Sequence, residues 1–332
     1  MLTDLDEAGL WEYRSTYQAP PGFDEFWHRT LEEAAEIPLD VRAEQVKTGL
    51  RTVEVYDVTF AGYAGHPVRA WLRLPCLPIL EPSAEHHPLP GVVQFHGYGS
   101  GRGHPLDDLL WASAGYAHLL MDARGQGGGY AGGDTGDPVG SGGPTQPGFL
   151  TRGLESPEAY YYRRVFVDAV RAVQVLRGCV QVDPARVAVV GASQGGGIAL
   201  AVAGLAPDAV AALYAQAPLL CDIRRATRIT DAVPYHELAA YLATHRMAVE
   251  RVFETLAYFD GLGFATRAQA PAWFSTGLMD GVCPPSTVFG AYHAYAGPKQ
   301  INLWQYNGHD AGGPEDLAAV LSAFHSLLQE ET

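Results

Sequence analysis

Apolar residues follow two different periods along this chain. Between residues 52 and 74 they alternate with polar residues, which is the period of a strand with one buried face. We therefore predict an antiparallel pair of strands here, joined by a turn at residues 62–65. Beyond residue 90, short apolar runs alternate with helical stretches, which is typical of parallel strands covered by helices on both faces. The predicted parallel strands lie at residues 92–95, 118–121, 187–190, 211–215, 272–275 and 301–306.

Helical periodicity fills the gaps between these strands. The predicted helices lie at residues 106–114, 157–176, 195–204, 288–295 and 314–328. Residues 1–40 form an N-terminal helical arm, and residues 221–266 form a helical insertion with helical patterns at 236–244 and 247–258. We predict one α/β domain over residues 1–332, with a mostly parallel central sheet and helices on both faces.

A glycine-rich segment at residues 125–148 interrupts this arrangement and shows neither period. We expect a long ordered loop there, with a flexible linker as the alternative. We find no internal repeat, and no boundary in the sequence that divides the chain into separate domains.

The charge balance and the composition exclude several classes of protein. The 332 residues include 22 Lys and Arg against 37 Asp and Glu, a formal net charge of −15, and they lack the basic stripe that a nucleic-acid binder needs. No apolar run reaches the roughly 18 residues of a membrane span. The first residues are acidic where a secretory signal is basic, and the four cysteines lack CxxC spacing. We expect a cytoplasmic protein with no nucleic-acid or membrane partner.

The pentapeptide G-A-S-Q-G at residues 191–195 has the form of a nucleophile elbow. It directly follows the predicted strand 187–190 and opens a helix of small residues, which is the strand-turn-helix context that this motif requires. Glycines at 191 and 195 allow the strand and the helix to approach closely. The turn would lift the hydroxyl of Ser193 above the sheet. An ordinary glycine-rich turn is the alternative interpretation.

A serine nucleophile needs a base to accept its proton and a carboxylate to hold that base. In α/β-hydrolases both follow the serine in the chain, first the acid and then the histidine, each after a later strand. Asp280 and His309 follow the last two predicted strands, so we predict that they are the acid and the base. Asp260 and Asp310 are the alternative acids.

Acyl transfer also needs two N–H donors for the oxyanion of its tetrahedral intermediate. One comes from the residue after the nucleophile, here Gln194, and the other from the loop after an earlier strand. That loop covers residues 96–99, in which the N–H of Tyr98 is the predicted donor. The glycine run at 99–103 lacks the Gly-Lys-Ser/Thr ending of a phosphate-binding loop. We predict neither a cofactor nor a metal.

With these motifs in place, the sequence resembles the seventh carbohydrate esterase family, which comprises acetyl xylan esterases and cephalosporin C deacetylases. The matching motifs are R-G-Q at 124–126, the pentapeptide at 191–195, and a final His309 followed by an acid. The longer similar stretches are H-G-Y at 96–98, G-F-L-T-R-G at 148–153, Y-Y-Y-R-R at 160–164, G-L-M-D at 277–280 and C-P-P-S-T at 283–287. The resemblance spans residues 10–325 and is more specific than the pentapeptide alone.

The resemblance implies a role for each residue of the site. The implied catalytic triad is Ser193, Asp280 and His309, and the implied oxyanion donors are the amides of Tyr98 and Gln194. The residues implied to support the site are Arg124, Gly125 and Gln126. The residues expected around a small acetyl pocket are Pro234, Tyr235, Cys283 and Pro284. The family also implies a hexamer, and it usually has Glu where this chain has Asp310, which leaves the packing of that loop open.

We therefore predict that residues 1–332 form a single α/β-hydrolase domain. We predict that it is a serine esterase that removes acetyl groups from acetylated xylo-oligosaccharides and related small acetyl esters, including cephalosporin C. Its partners would be these small substrates. Another hydrolase on the same fold, such as a dienelactone-type hydrolase or a peptidase, is the alternative, because a fold does not determine a function. A noncatalytic binding module is the remaining alternative, although such modules commonly lack one of the triad residues that are present here.

Overall fold

A single mixed β-sheet organises the part of the chain that the structure describes. This structure is a computed structural model, and it describes residues 4–76, 88–140, 142, 143, 145 and 147–328. The strands are β1 (Arg42–Val46), β2 (Val53–Ala61), β3 (Pro67–Pro75), β4 (Leu89–Phe95), β5 (Ala117–Met121), β6 (Val182–Ala192), β7 (Ala212–Gln216), β8 (Ala272–Gly277) and β9 (Lys299–Trp304). Their order across the sheet is β1-β2-β3-β5-β4-β6-β7-β8-β9.

The type of pairing between neighbouring strands changes once across the sheet, from antiparallel to parallel. β1, β2 and β3 pair antiparallel with one another, and β3 also pairs antiparallel with β5. From β5 onward every neighbouring pair is parallel. The predicted α/β fold with a mostly parallel sheet is confirmed. Because parallel strands end at the same edge, the loops after β4, β6, β8 and β9 meet there.

Successive side chains of the parallel strands are buried on opposite faces of the sheet. Val93 of β4 lies in a large core that includes the helix Tyr161–Arg177. Its neighbour Val92 lies in a smaller core on the other face, together with residues of the final helix Pro314–Leu328. Burial on both faces explains why these strands are continuous apolar runs in the sequence.

The helices lie near their predicted positions with one exception. In chain order the α-helices of the described residues are Glu7–Glu12, Phe23–Ala35, Leu110–Ser113, Tyr161–Arg177, Gln194–Leu205, Ile223–Ile229, Tyr235–Thr244, Val249–Leu256, Gly261–Ala265, Pro285–Ala294 and Pro314–Leu328. None of them combines the length and the apolar character needed to cross a membrane. The exception is the prediction at 106–114, where only Leu110–Ser113 is helical. The prediction was wrong before Leu110 because Asp108 has a φ of 50° and the Asp107 carboxylate closes a turn by accepting the His104 N–H at 2.8 Å.

The sequence pattern does not predict β1. This edge strand is almost entirely exposed along its length, so its residues show no alternation of apolar and polar side chains. The strand exists because its backbone pairs with β2 from Arg42 to Val46. Backbone pairing at an exposed edge leaves little trace in the side chains, which explains the omission.

The N-terminal arm, predicted over residues 1–40, packs against the end of the insertion. Residues 1–3 of the arm lie outside the described part. The indole Nε1 of Trp27 donates to the carbonyl of Tyr258 at 2.9 Å, and the hydroxyl of Tyr17 donates to the carbonyl of Ala257 at 2.7 Å. The arm and the insertion therefore support each other through hydrogen bonds to backbone carbonyls.

The glycine-rich segment at 125–148 is held against the sheet in its described part. Asp122 follows β5 directly, and its carboxylate accepts the N–H groups of Asp134 at 2.6 Å and of Thr135 at 2.7 Å. An isolated bridge pairs Asp137 with Gly142. These bonds are those of an ordered loop, as the first of the two interpretations expects. Residues 141, 144 and 146 of the segment lie outside the described part.

Candidate active site

Ser193 lies at a sharp turn between β6 and the helix Gln194–Leu205. Its backbone has a φ of 56° and a ψ of −123°, a conformation that residues other than glycine rarely adopt. The neighbouring strand end holds it there, since the Ser193 N–H donates to the carbonyl of Gln216 at 2.9 Å. A Cβ at Gly195 would collide with the backbone of Phe95 at the end of β4, so the strand and helix can approach this closely only with glycine.

Asp280 and His309 lie in the loops after β8 and β9 and form a hydrogen bond. The Oδ2 atom of Asp280 and the Nδ1 atom of His309 are 2.8 Å apart. The Asp280 side chain is fully buried, and its Oδ1 accepts the N–H groups of Val282 at 2.7 Å and of Cys283 at 2.9 Å. The carboxylate is therefore fixed by its own loop. It holds the imidazole by Nδ1, which leaves Nε2 on the opposite side of the ring.

Two contacts join the Ser193 turn to these loops. The Gln216 side chain donates from Nε2 to the carbonyl of Asp310 at 2.7 Å, while the carbonyl of Gln216 accepts the Ser193 N–H. The Cys283 thiol interacts with the Ser193 side chain. Burial raises the pKa of this thiol, so it stays neutral. The structure thus gathers all three predicted triad residues at one edge of the sheet.

The two alternative acids have other partners. Asp260 caps the helix Gly261–Ala265, and its Oδ1 accepts the N–H groups of Leu262 and Asp222, both at 3.0 Å. Burial, followed by the charge of Asp222, raises the pKa of Asp260 to about 7. The Asp310 carboxylate accepts the Asn307 side-chain amide at 3.4 Å. Of the three carboxylates predicted as possible acids, the one that forms a hydrogen bond with the His309 imidazole is that of Asp280.

Tyr98 lies in a tight turn directly after β4. The Ser100 N–H donates to the carbonyl of Gly97 at 3.2 Å, and Gly99 has a φ of 77°, as the third residue of a type II turn requires. The Gly99 N–H donates to the side-chain Oε1 of Gln126 at 2.8 Å. Within the described residues the Tyr98 N–H has no acceptor. It is therefore available to a ligand.

Gln126 and Gln194 face each other through their side-chain amides. Gln126 Nε2 donates to Gln194 Oε1 at 2.8 Å, and Gln194 Nε2 donates to Gln126 Oε1 at 3.2 Å. The hydroxyl of Tyr162 donates to Gln194 Oε1 at 2.8 Å, and Gln126 Nε2 also donates to the hydroxyl of Tyr161 at 3.0 Å. The backbone N–H of Gln194 opens its helix and lies before the intrahelical hydrogen bonds begin. Gln126 therefore connects the turns that carry the two predicted oxyanion donors.

Arg124 and Gly125 hold the segment that carries Gln126. The Arg124 guanidinium is fully buried and makes hydrogen bonds of 2.6 and 2.7 Å to Asp168 and of 3.4 Å to Asp137. The N–H of Gly125 donates to the carbonyl of Thr135 at 2.8 Å. A buried charge is tolerated when it is paired in this way. These contacts hold the segment in place, and the supporting role that the resemblance implies for Arg124 and Gly125 stays a prediction.

Glu237 also lies at this edge of the sheet and is not among the residues predicted from the sequence. It lies on the insertion helix Tyr235–Thr244, and its Oε2 accepts the hydroxyl of Tyr98 at 2.6 Å and the N–H of Leu150 at 3.2 Å. Burial raises the pKa of its carboxyl. No sequence signal singles out this residue, because an acid in the first turn of a helix is ordinary and its partner Tyr98 is 139 residues away.

The residues predicted for the acyl pocket are buried. They are Pro234, Tyr235, Cys283 and Pro284. Cys283 contacts Ser193, as described above, whereas the hydroxyl of Tyr235 donates to the carbonyl of Cys221 at 3.4 Å. The structure therefore brings Cys283 to the serine, and the contribution of the other three residues to a pocket stays a prediction.

The arrangement contains the groups that nucleophilic acyl transfer uses. They are a serine on a sharp turn, a histidine held by a buried carboxylate, and two backbone N–H groups at the same edge of the sheet. Among the side chains that the structure describes, no three His, Cys, Asp or Glu residues are grouped so that they could hold a metal ion.

The chain is similar to known proteins along most of its length. The family model described as acetyl xylan esterase matches residues 1–324. Acetyl esterase Axe7A from Xylanibacter ruminicola is 27% identical over 296 residues, which make up 87% of this chain. The same alignment makes up 63% of that protein, so this chain spans less than two thirds of the relative's length.

Two solved structures match nearly the whole chain. The acetyl xylan esterase from Paenibacillus sp. R4 is 35% identical with a TM-score of 0.88, and the match covers 98% of this chain and 100% of that one. Acetyl xylan esterase 1 from Thermoanaerobacterium sp. JW/SL YS485 is 32% identical with a TM-score of 0.85, and the match covers 97% and 99%. The α/β-hydrolase fold predicted from the sequence is confirmed by both.

Proposed function

Because the chain belongs to the acetyl xylan esterase family, a family of carboxylic ester hydrolases, we propose that it is a serine esterase that removes acetyl groups from oxygen. The proposed substrates are acetylated xylo-oligosaccharides and related small acetyl esters, including cephalosporin C. The observation that carries the proposal is the pair Asp280 and His309, hydrogen-bonded at 2.8 Å beside the Ser193 turn.

In the first half of the proposed reaction, the Oγ of Ser193 attacks the carbonyl carbon of the ester. His309 takes the serine proton on Nε2, and Asp280 stabilises the resulting imidazolium through Nδ1. The carbonyl oxygen becomes an oxyanion, which accepts the N–H groups of Tyr98 and Gln194. When the tetrahedral intermediate collapses, His309 returns the proton to the leaving alcohol, and the acetyl group stays on Ser193.

In the second half, a water molecule repeats the attack on the acetyl-serine. His309 takes a proton from the water, the same two N–H groups hold the second oxyanion, and the proton then goes to the Oγ of Ser193. Acetate leaves, and the enzyme returns to its starting state. The described groups supply every proton acceptor and donor of this scheme, so it requires no cofactor.

A panel of esters tests the proposed activity. We expect hydrolysis of p-nitrophenyl acetate, acetylated xylo-oligosaccharides and cephalosporin C, with Ser193→Ala as the inactive control. The ranking of kcat/KM over the natural esters identifies the preferred alcohol. Activity on lactones or peptides in place of acetyl esters would favour the dienelactone-type or peptidase alternative. A folded protein inactive on every substrate would favour a noncatalytic module.

The length of the acyl chain gives a second test, because a small acetyl pocket excludes longer chains. Each added methylene in a tight pocket costs roughly 1–3 kcal/mol of transition-state binding, or about 10–200-fold in kcat/KM. We expect a steep fall in the p-nitrophenyl series from acetate through butyrate to octanoate. Equal or higher kcat/KM for octanoate would contradict the acetyl preference. The hexamer and the cytoplasmic location stay predictions, which sedimentation and cell fractionation test.

A further inference from the structure

The turn that carries the Tyr98 N–H is held from two sides. On one side, Gln126 accepts the N–H of Gly99, the next residue of the turn, at 2.8 Å. On the other side, the Tyr98 side chain reaches Glu237 on the insertion helix Tyr235–Thr244. We propose that Glu237 is a positioning residue that aims the Tyr98 N–H at the oxyanion by holding the Tyr98 hydroxyl. This inference rests on the proposed esterase function.

The bond between the two side chains is short and charge-assisted. The Tyr98 hydroxyl donates to Glu237 Oε2 at 2.6 Å, within the range of an O–H donor on a carboxylate. The same hydroxyl accepts the Phe149 N–H at 2.7 Å, and the two aromatic rings pack edge to face with centroids 5.5 Å apart. The far end of the tyrosine is therefore fixed by both a donor and an acceptor.

Glu237 also ties a third segment to this contact. Its Oε2 accepts the N–H of Leu150 at 3.2 Å, next to Phe149 in the chain. One carboxylate oxygen thus joins the oxyanion turn, the segment at 148–150 and the insertion. Because a tyrosine side chain has only two rotatable bonds before its ring, fixing the hydroxyl constrains the direction of its own backbone. The insertion in this way sets the aim of a backbone donor.

The reaction requires such control because oxyanion donors act only at the right distance. They must lie about 2.7–3.1 Å from the position that the charged oxygen takes in the transition state. Loss of Glu237 leaves Gln126 as the anchor on the other side of the turn. A misdirected donor weakens the binding of the transition state more than the binding of the ester. We therefore expect a large decrease in kcat and a small change in KM.

The test compares Glu237→Ala, Glu237→Gln and Tyr98→Phe with wild type on p-nitrophenyl acetate. The control is Glu254→Ala, an exposed acid on the same insertion. Removal of a whole oxyanion donor typically costs about 10²–10³-fold in kcat, so we expect a loss of about 10–100-fold for Glu237→Ala and Tyr98→Phe, with KM within about threefold. Glu237→Gln keeps an acceptor for the hydroxyl, so its kcat should lie only about 2–5-fold below wild type. The control should match wild type.

The double variant Glu237→Ala with Tyr98→Phe separates positioning from general support of the fold. Two residues that act through one hydrogen bond give a double variant no slower than the slower single variant. Multiplied losses, or a wild-type kcat in Glu237→Ala, would overturn the inference. If Glu237→Ala does not fold, judged by circular dichroism, Glu237→Gln and Tyr98→Phe decide. A wild type without esterase activity would overturn the proposed function first and this inference with it.

Discussion

The two halves of the site are held in place by different parts of the molecule. In the acid–base half, the Asp280 carboxylate accepts the N–H groups of residues two and three positions further along its own loop. In the oxyanion half, Tyr98 depends on Glu237, 139 residues away, and Gln194 depends on Gln126, 68 residues away. The first half is built by local turns and neighbouring strand ends, and the second by side chains from distant segments.

This difference predicts how each half responds to substitution. A carboxylate held by its own loop keeps its position when remote residues change, so only its own chemistry can be lost. A turn held by distant side chains loses its alignment when any of those side chains is removed. The variants below test the contrast, beginning with the largest expected effect.

Asp280→Asn, which alters the carboxylate that holds His309, is expected to have the largest effect of these variants. The amide cannot stabilise an imidazolium, and we expect a loss of about 10³–10⁴-fold in kcat with the fold intact. Asp310→Asn is the matched control, because that carboxylate contacts Asn307 and is expected to change kcat less than about threefold. Steady-state kinetics decides the ranking, and the reverse order would assign the acid role to Asp310.

Gln126→Leu probes the oxyanion half and is expected to lower both activity and stability. It leaves the Gly99 N–H and the Gln194 amide without their buried partner, and each unsatisfied group costs about 1–3 kcal/mol in the free energy of unfolding. We expect kcat to fall about 10²-fold. Gln174→Leu, on an exposed position of the helix Tyr161–Arg177, is the control. Normal activity in Gln126→Leu would show that this half does not depend on its distant anchor.

A smaller effect is expected when kcat of wild type and of Glu237→Gln is compared as a function of pH. Burial raises the pKa of Glu237, so its carboxylate becomes protonated, as pH falls, earlier than an exposed glutamate. Only the ionised form gives a charge-assisted bond to Tyr98, which exceeds a neutral one by about 1 kcal/mol. We expect wild type to exceed Glu237→Gln by about 2–5-fold in kcat at neutral pH, and this ratio to approach one in acid.

The ionisable groups that face Glu237 do not reverse the direction in which this kcat ratio changes with pH. They are Tyr98, Tyr160, Tyr162 and Arg152. Burial raises the pKa of all three tyrosines, so they stay neutral across the range, and the charge of Arg152 opposes the effect of burial on the pKa of Glu237 without reversing it. Every group other than residue 237 is the same in both proteins, so the ratio of their kcat values cancels the effect of those groups. A ratio that does not change with pH would remove the charge of Glu237 from the explanation.

The smallest expected effect concerns the Ser193 backbone. Its φ of 56° is strained for serine and alanine but accessible to glycine. We expect Ser193→Gly to be more stable than Ser193→Ala by about 1 kcal/mol, because relief of strain exceeds the greater entropy of glycine in the unfolded chain. Thermal unfolding of the two inactive variants measures this difference. Equal midpoints would show that the turn stores no strain.

The sequence predicts those parts of the fold and the site that depend on local order. Ser193, Asp280 and His309 each follow an apolar strand, so their positions at one edge follow from parallel topology alone. β1 escapes prediction because backbone pairing alone defines it. The helix at 106–114 fails because a single residue with positive φ, Asp108, cannot be identified from periodicity.

Glu237 escapes prediction for a different reason. Its neighbours in the chain form an ordinary insertion helix, and the contact with Tyr98 exists only after the insertion has folded over the loops that follow β4. The resemblance over residues 10–325 implies which N–H groups are the oxyanion donors, but a single sequence does not identify the distant side chains that contact their turns. Contacts between distant segments are therefore the part of the site that only a structure supplies.

The strained turn at Ser193 also has a consequence for the evolution of this protein. If glycine is the more stable residue at this position, selection for folding alone would favour replacing the serine, and only selection for catalysis retains it. In a gene copy whose product no longer needs catalytic activity, glycine would then be favoured at position 193. Its product would be slightly more stable than the parent protein. Serine at position 193 of a descendant therefore indicates that the reaction is still under selection, and glycine indicates that it is not.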